Sequence, residues 1–269
     1  MLLTVDHVTL YRYDRPVRGV VQSHRMTPSR FDGQKVLDWA VTVSGGTLGG
    51  EFRDGAGDWV QGWTVAGPVT EIEVRVRGRV QTTDLAGVLR GHREVAPPEA
   101  YLRETEATAP DDALRALAEV AAQAENQLAG CHALSAAISS AIAYRPGSTA
   151  AHTTAAQALA QGECVCQDHA QVLVATARLA GIPARYVSGY LQASSDGTEH
   201  EAAHAWAELH VTGLGWIGFD PANECCPDDR YIRLGSGLDA QDAAPIRGVS
   251  RGQGSEMLAV TVAVQLQEQ

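Results

Sequence analysis

The sequence has no run of about 18 uninterrupted apolar residues, so no membrane span is expected. Its start, MLLTVDHVTLYRY, lacks the positive n-region and the apolar stretch of an export signal. Cysteines are few: Cys131, Cys164, Cys166, Cys225 and Cys226, an odd number without the spacing of a disulfide framework. Without an export signal, the cytoplasm is the expected compartment, and the thiols are expected to be free. Positive charge is short as well, with 21 Lys and Arg against 32 Asp and Glu, a net charge of -11. That balance repels phosphate backbones and anionic lipids, so neither nucleic acid nor a membrane is an expected partner. No stretch has the oxygen-ligand spacing of a calcium loop. Structural zinc sites favour two to four residues between paired cysteines, whereas one separates Cys164 from Cys166 and none separates Cys225 from Cys226. No metal and no cofactor are expected, and no repeat or low-complexity tract is visible.

What is present is an ordinary globular composition, 45% hydrophobic and 20% charged over 269 residues, enough for one large domain or two modest ones. Residues 1–95 read as β structure. In EIEVRVRGRV the apolar residues Ile72, Val74, Val76 and Val80 share one face and the charges take the other. VDHVTLYRY, VLDWAVTV and WVQGWTVAG read as further strands, separated by the turn clusters SRFDGQ and RDGAGD. This pattern predicts an antiparallel meander forming a small β-sandwich. Residues 96–269 change texture. DDALRALAEVAAQAEN is a helix with acids in its first turn, and CHALSAAISSAIAY is a second, stopped at Pro146-Gly147. A third begins at Cys166, with Ala170, Leu173, Val174 and Ala177 as its apolar stripe, and ends at Gly181 and Pro183. ARYVSGYL, HAWAELHV and GWIGFD follow as strands, and the alternation around 257–267 makes the tail a strand that returns to a sheet.

The stretch GECVCQDHAQ places Cys166 in the first turn of a helix, where unpaired N–H groups and the dipole favour a thiolate. A nucleophile needs a base, and the base needs an orienting group. The strand HAWAELHV puts His204, Trp206, Glu208 and His210 on one face, and the next strand ends at Asp220. If the turn has three residues, Thr212 to Leu214, Val211 stands opposite Gly215; pairing of His204 with Asp220 requires such an odd turn or a bulge. His204 and Asp220 then become diagonal neighbours on one face, about 7–8 Å apart at their β-carbons. A two-residue turn would send Asp220 to the other face. His169 projects from the flank of the Cys166 helix with no acid to orient it, so a packing or surface role is expected. His200 and His210 read as inert, with His210 a lesser pocket candidate because it shares the face of His204. The apolar setting of Arg185 suggests a partnered structural arginine.

CQDHA, ARYVSGY, HAW, GWIGFDPAN and APIRGV together resemble the bacterial transglutaminase-like family of papain-like cysteine enzymes. The family pattern has a Cys-Gln-Asp helix start, a His-Ala-Trp strand and a Phe-Asp-Pro strand end, in that order. The N-terminal β region is similar to the accessory domain that precedes this core. The resemblance implies an α+β fold, a papain-like transglutaminase core in which the helix carrying the cysteine packs on an antiparallel sheet. It implies Cys166 as nucleophile, His204 as base then acid, and Asp220 as the group holding the imidazole. The Cys166 N–H would form part of an oxyanion hole, with Gln167, Tyr190 and Trp206 as candidate oxyanion or substrate contacts. The implied chemistry is attack on a peptide or protein amide through a Cys166 thioester, hydrolysed by water as in a peptidase or amidase. Transfer to an amine, as in a transglutaminase, is the alternative, and a non-catalytic binding scaffold is a second. The chain departs from the family pattern with Cys164 where a Gly is common, His169 where an aromatic residue is frequent, and Gln171 where a His is common.

Overall fold

The computed structural model describes residues 1–147, 152–192 and 202–267; His200 lies outside them. The protein is α+β. Four strands come first: β1 (Leu2–His24), β2 (Gln34–Val43), β3 (Gly46–Arg53) and β4 (Trp59–Thr82). Alternation decides their faces. Leu3, Val5, His7, Thr9, Tyr11 and Tyr13 of β1 point inward, and Ile72, Val74, Val76 and Val80 of β4 are fully buried. The gap in the β4 row is Gly78, where a β-carbon would lie 2.4 Å from the Trp39 ring. The indole occupies the space of the missing side chain. β3 escapes a sequence reading because Gly46, Gly49 and Gly50 dilute its alternation.

The sandwich expected for residues 1–95 is one continuous sheet rather than two, and its strand order is not a meander. β1 and β4 pair along most of their lengths and hold β2 and β3 beside β4. The last strands of the chain, β11 (Ile246–Arg251) and β12 (Glu256–Leu266), complete six strands by pairing with β1. Register shifts between Arg12 and Gly19 bend β1, the usual effect of an irregular insertion in a ladder. One core then draws on both halves of the long strands: Tyr11 and Tyr13 with Val17 and Val20, Trp63 and Val65 with Ile72 and Val74. The tail does return to a sheet, running antiparallel to β1 from Leu266 opposite Leu3 to Glu256 opposite Tyr13.

The helical layer follows. α1 (Asp112–Ala122) is capped by Asp111, which accepts from the Leu114 N–H at 2.8 Å. α2 (Gln127–Ala141) starts about a turn earlier than its apolar pattern suggested, because Asn126 caps it. β5 (Ala143–Tyr144) pairs in parallel with β6 (Glu163–Cys164), and between them stands α3 (Ala155–Gln161). In this short helix Thr154 and Gln157 form a capping box and Gly162, at φ 71°, ends it. α4 (Cys166–Leu179) starts at the cysteine, as read from the sequence. It is buried without a break from Asp168 to Arg178, well beyond a single stripe, because α1, α2 and α3 surround the sides that the sheet leaves open.

That sheet has four antiparallel strands, β7 (Ala184–Leu191), β8 (Ala203–Val211), β9 (Gly215–Phe219) and β10 (Tyr231–Gly237), in the order β10-β7-β8-β9. β10 has little strand signature, since Gly235, Ser236 and Gly237 make up its second half. Ala205, Ala207 and Leu209 of β8 pack with Ala170, Leu173, Val174 and Ala177 of α4. Leu3, Val5 and Val80 of the first sheet meet Ile232 and Leu234 of the second. Beside them runs a buried ionic chain. Arg233 donates to Asp58 at 2.6 Å and to Glu208 at 2.8 Å, and Arg185 donates to Glu208 at 2.7 Å and to Glu94. Arg185 also lies over the Trp216 ring at 4.1 Å, the partnered structural arginine that its setting suggested.

Candidate active site

Cys166 is the first residue of α4 and is 2% exposed. The Asp168 carboxylate reaches back to the Val165 N–H at 3.3 Å, which ties down the turn that presents the thiol. β8 delivers His204 from the facing sheet. The turn after β8 has three residues, with Val211 opposite Gly215, His210 opposite Trp216 and Ala207 opposite Phe219. Asp220 follows directly on β9, and its carboxylate Oδ2 lies 2.6 Å from His204 Nε2. With Nε2 committed to the acid, Nδ1 is the nitrogen left for the thiol. Cys166 is one of the two groups whose interactions raise the pKa of the imidazole. Burial alone would lower the His204 pKa, but the Asp220 hydrogen bond and the interactions with Cys166 overcome it and hold it up at about 10. That direction favours the protonated ring beside the Asp220 carboxylate.

Asp220 is fully buried, and five donors compensate its charge. Besides His204, Oδ2 accepts from the Asn223 amide at 2.7 Å and the Tyr231 hydroxyl at 2.8 Å. Oδ1 accepts from the N–H groups of Ala222 and Asn223 at 3.1 and 3.3 Å. Burial pushes the carboxyl up, but the bonds from His204, Asn223 and Tyr231 bring it below its ordinary value. Asn223 Nδ2 is also 3.2 Å from His204 Nε2. Both atoms carry hydrogens in the imidazolium state, so the carboxylate is what holds the amide. Paired backbone bonds between Asp220 and Cys225 close the loop that sets these groups. Sequence reasoning missed Asn223 and Tyr231. Asn223 stands three residues after Asp220 in DPAN, a visible cue, whereas Tyr231 reaches the acid only because β10 lies across β7 from β8.

The remaining candidates separate. Trp206 stacks beside His204, with ring centroids 6.4 Å apart, and is 2% exposed. Its indole crosses β7 where Gly189 leaves room: a β-carbon there would lie 2.5 Å from the ring. Trp206 is thus a wall behind the imidazole. Gln167 is exposed beside Cys166 at the helix start, open to a bound molecule. Tyr190 is not at the cleft. Its hydroxyl lies 2.7 Å from His7 Nδ1 in the seam between the two sheets, because its ring extends toward Leu3 and Val5.

His169 is buried, with Nδ1 2.9 Å from the Val165 carbonyl and Nε2 3.1 Å from that of Ile142, so it packs as expected. His210 lies against Trp216 at the far end of β8 from His204. Gln171 accepts from the Ala240 N–H at 3.1 Å and anchors the segment after β10. All five thiols are free. Cys164 is fully buried with its thiol on the Ala158 carbonyl, and burial with the nearby Asp168 charge raises its pKa to about 11. Cys225 lies 3.3 Å from the Tyr231 oxygen, whose own proton goes to Asp220, so the thiol is the donor.

Among the described residues, no group of three or more His, Cys, Asp or Glu side chains could hold a metal ion, and no helix is long and apolar enough to cross a membrane.

Comparison with known proteins gives a consistent result. Residues 115–221 match the transglutaminase-like superfamily, and residues 3–81 match the bacterial transglutaminase-like N-terminal region. The uncharacterised protein ML0607 of Mycobacterium leprae is 30% identical over 280 residues, spanning 97% of this chain and 98% of that one. The uncharacterised Mycobacterium tuberculosis protein Rv2569c (strain H37Rv) is 39% identical over 115 residues, covering 39% of this chain and 37% of its own length. A crystal structure of a candidate cysteine protease from Cytophaga hutchinsonii shares the fold, with a TM-score of 0.73 at 22% identity, covering 100% of this chain and 92% of that one. This chain belongs to the transglutaminase-like superfamily, with the bacterial N-terminal region ahead of its core, and is by class a cysteine-dependent hydrolase or acyltransferase.

Proposed function

We propose that the protein is an amide hydrolase, a peptidase or amidase, working through a Cys166 thioester. The observation that carries this reading is His204 on β8, its Nε2 2.6 Å from Asp220 Oδ2, on the strand that packs against α4, whose first residue is Cys166. A cysteine thiolate paired with an imidazolium is the attacking form of the nucleophile. The Cys166 sulfur adds to the amide carbonyl carbon, and the developing oxyanion is stabilised by the N–H of Cys166 and the positive end of α4. His204 gives a proton to the departing amine as the C–N bond breaks, leaving the thioester. The neutral imidazole then takes a proton from water, and the hydroxide displaces the sulfur to release the acid. Asp220 keeps the ring oriented in both halves and stays ionised. Gln167 is the exposed side chain next to the thiol and contacts the substrate, which is a peptide or protein amide. The five free thiols support a reducing compartment such as the cytoplasm.

The test is alkylation by iodoacetamide in reductant, followed at each cysteine by peptide mass spectrometry. Cys166 is expected to react at pH values where Cys131 and Cys164 do not, and His204→Ala to abolish that selectivity. Cys164→Ala should leave it in place; loss of selectivity there would move the nucleophile. Turnover of peptide amides in labelled water, with an amine present, then separates the two fates of the thioester. Hydrolysis puts labelled oxygen into the acid product. An amide formed with the added amine in preference to the acid would reassign the enzyme as an acyltransferase.

A further inference from the structure

β12 is an edge strand of unusual composition. Among the described residues its ladder hydrogen bonds go to β1 alone, so its outer row of N–H and C=O groups is free. From Met257 to Leu266 it carries no charged residue, in a chain of net charge -11. Edge strands are ordinarily protected by charge, proline or a covering segment, since an unpaired apolar edge is a template for another strand. Its inward side chains are uncovered as well. Leu258, Val260 and Leu266 share the face of the buried Tyr11, Thr9 and Leu3, yet they are 57%, 50% and 49% exposed.

The order of residues along β12 indicates the occupant. Leu258-Ala-Val-Thr-Val262-Ala-Val-Gln-Leu266 is nearly palindromic about Val262. An antiparallel pair of two such strands, with the twofold axis at Val262, sets Leu258 against Leu266, Val260 against Val264 and Val262 against its own copy. Every inward pair is then apolar and matched in size, and no like charges face one another along the stretch. The charged end of the strand, Glu256, already accepts from the Tyr13 hydroxyl. A twofold interface needs this self-complementarity, in which one patch serves both partners. We propose that two copies of this chain associate through β12, extending the six-stranded sheet across a twofold axis at Val262.

Sedimentation equilibrium on the full chain at tens of micromolar, in reductant, is expected to give twice the chain mass. Val260→Lys places an ammonium at the centre of the pair, and the mass should fall to that of one chain. Val260 is half exposed, so far-UV circular dichroism and Cys166 alkylation should be unchanged. Leu48→Lys, at an exposed apolar position on β3, serves as the control and should leave the dimer intact. Val262→Cys tests the axis directly, because directly opposed residues have α-carbons at a separation that a disulfide can bridge. Mild oxidation should join the two introduced thiols, located by peptide mass spectrometry. A monomeric parent chain, a dimer that survives Val260→Lys, or a dimer in which the introduced thiols do not join would each overturn the proposal.

Discussion

At the scale of single residues, the candidate site rests on how Asp220 is held. A fully buried carboxylate is costly unless its lone pairs are occupied, and here Oδ2 carries three donors and Oδ1 two. The pH dependence follows from its direction and from that of His204. The His204 pKa lies above its ordinary value, so its proton is available to a leaving amine below about pH 10 and lost above it. Amide turnover should therefore decline as the pH rises through about 10, while alkylation of Cys166, which needs only the thiolate, should not. Asp220→Asn removes the largest interaction that raises the His204 pKa. The alkaline limb of turnover should move to lower pH and the rate should drop by one or more orders of magnitude, with roughly 10⁴-fold, the serine-triad value, as an upper bound. Tyr231→Phe takes away one charge-assisted donor, typically about 1.5–3 kcal/mol. Its expected signature is an acid limb shifted upward by about one to two pH units with substrate affinity unchanged. An unmoved acid limb would show that the hydroxyl serves packing alone.

Among secondary-structure elements, the start of α4 and the turn between β8 and β9 do the aligning. The turn has three residues, with Gly213 at φ 82° supplying a left-handed position that most side chains disfavour. Side chains alternate with a period of two, so an odd turn keeps Asp220 on the face of His204. At α4 the N-terminal turn is tied by the Asp168–Val165 bond. Asp168→Ala should cost about 1 kcal/mol, a fall in Tm of roughly 2–4 °C for a chain of this size, and slow Cys166 alkylation by loosening the turn. A loss of stability with unchanged alkylation would separate the cap from the thiol's placement. Both elements could be located in the sequence, because a cap and a turn depend on neighbours within a few residues, but the length of the turn could not.

For the whole molecule, the N-terminal sheet and the core are joined by burial and by charge together. Glu208 is the hub, accepting from Arg185 and from both ends of the Arg233 fork. Burial would raise its pKa, but Arg233 and Arg185 hold it down at about 2. A group whose folded pKa is depressed adds stability above its unfolded pKa, near 4.5, and loses it as the pH falls toward the folded value. Acid unfolding, followed by circular dichroism, should therefore steepen between about pH 4.5 and 2. In Glu208→Gln that part of the pH dependence should be lost, with overall stability at neutral pH lower by about 3–5 kcal/mol because two buried arginines lose a charged partner. An unchanged acid limb in the variant would place the pH dependence elsewhere.

By itself the sequence determined the local terms: a helix beginning at Cys166 and the alternation along β4, β8 and β12, while the turn length that brings His204 and Asp220 together came from the structure. Each depends on periodicity or on a cap, and both are written over a few consecutive residues. Only the tertiary structure decided that β1 and β4 are long bent strands of one sheet, that β10 brings Tyr231 to Asp220, and that Tyr190 turns away to His7. Periodicity states which face of an element is apolar but not which distant element covers it. That choice is made by pairings across most of the chain, such as β12 with β1, and by the burial those pairings allow.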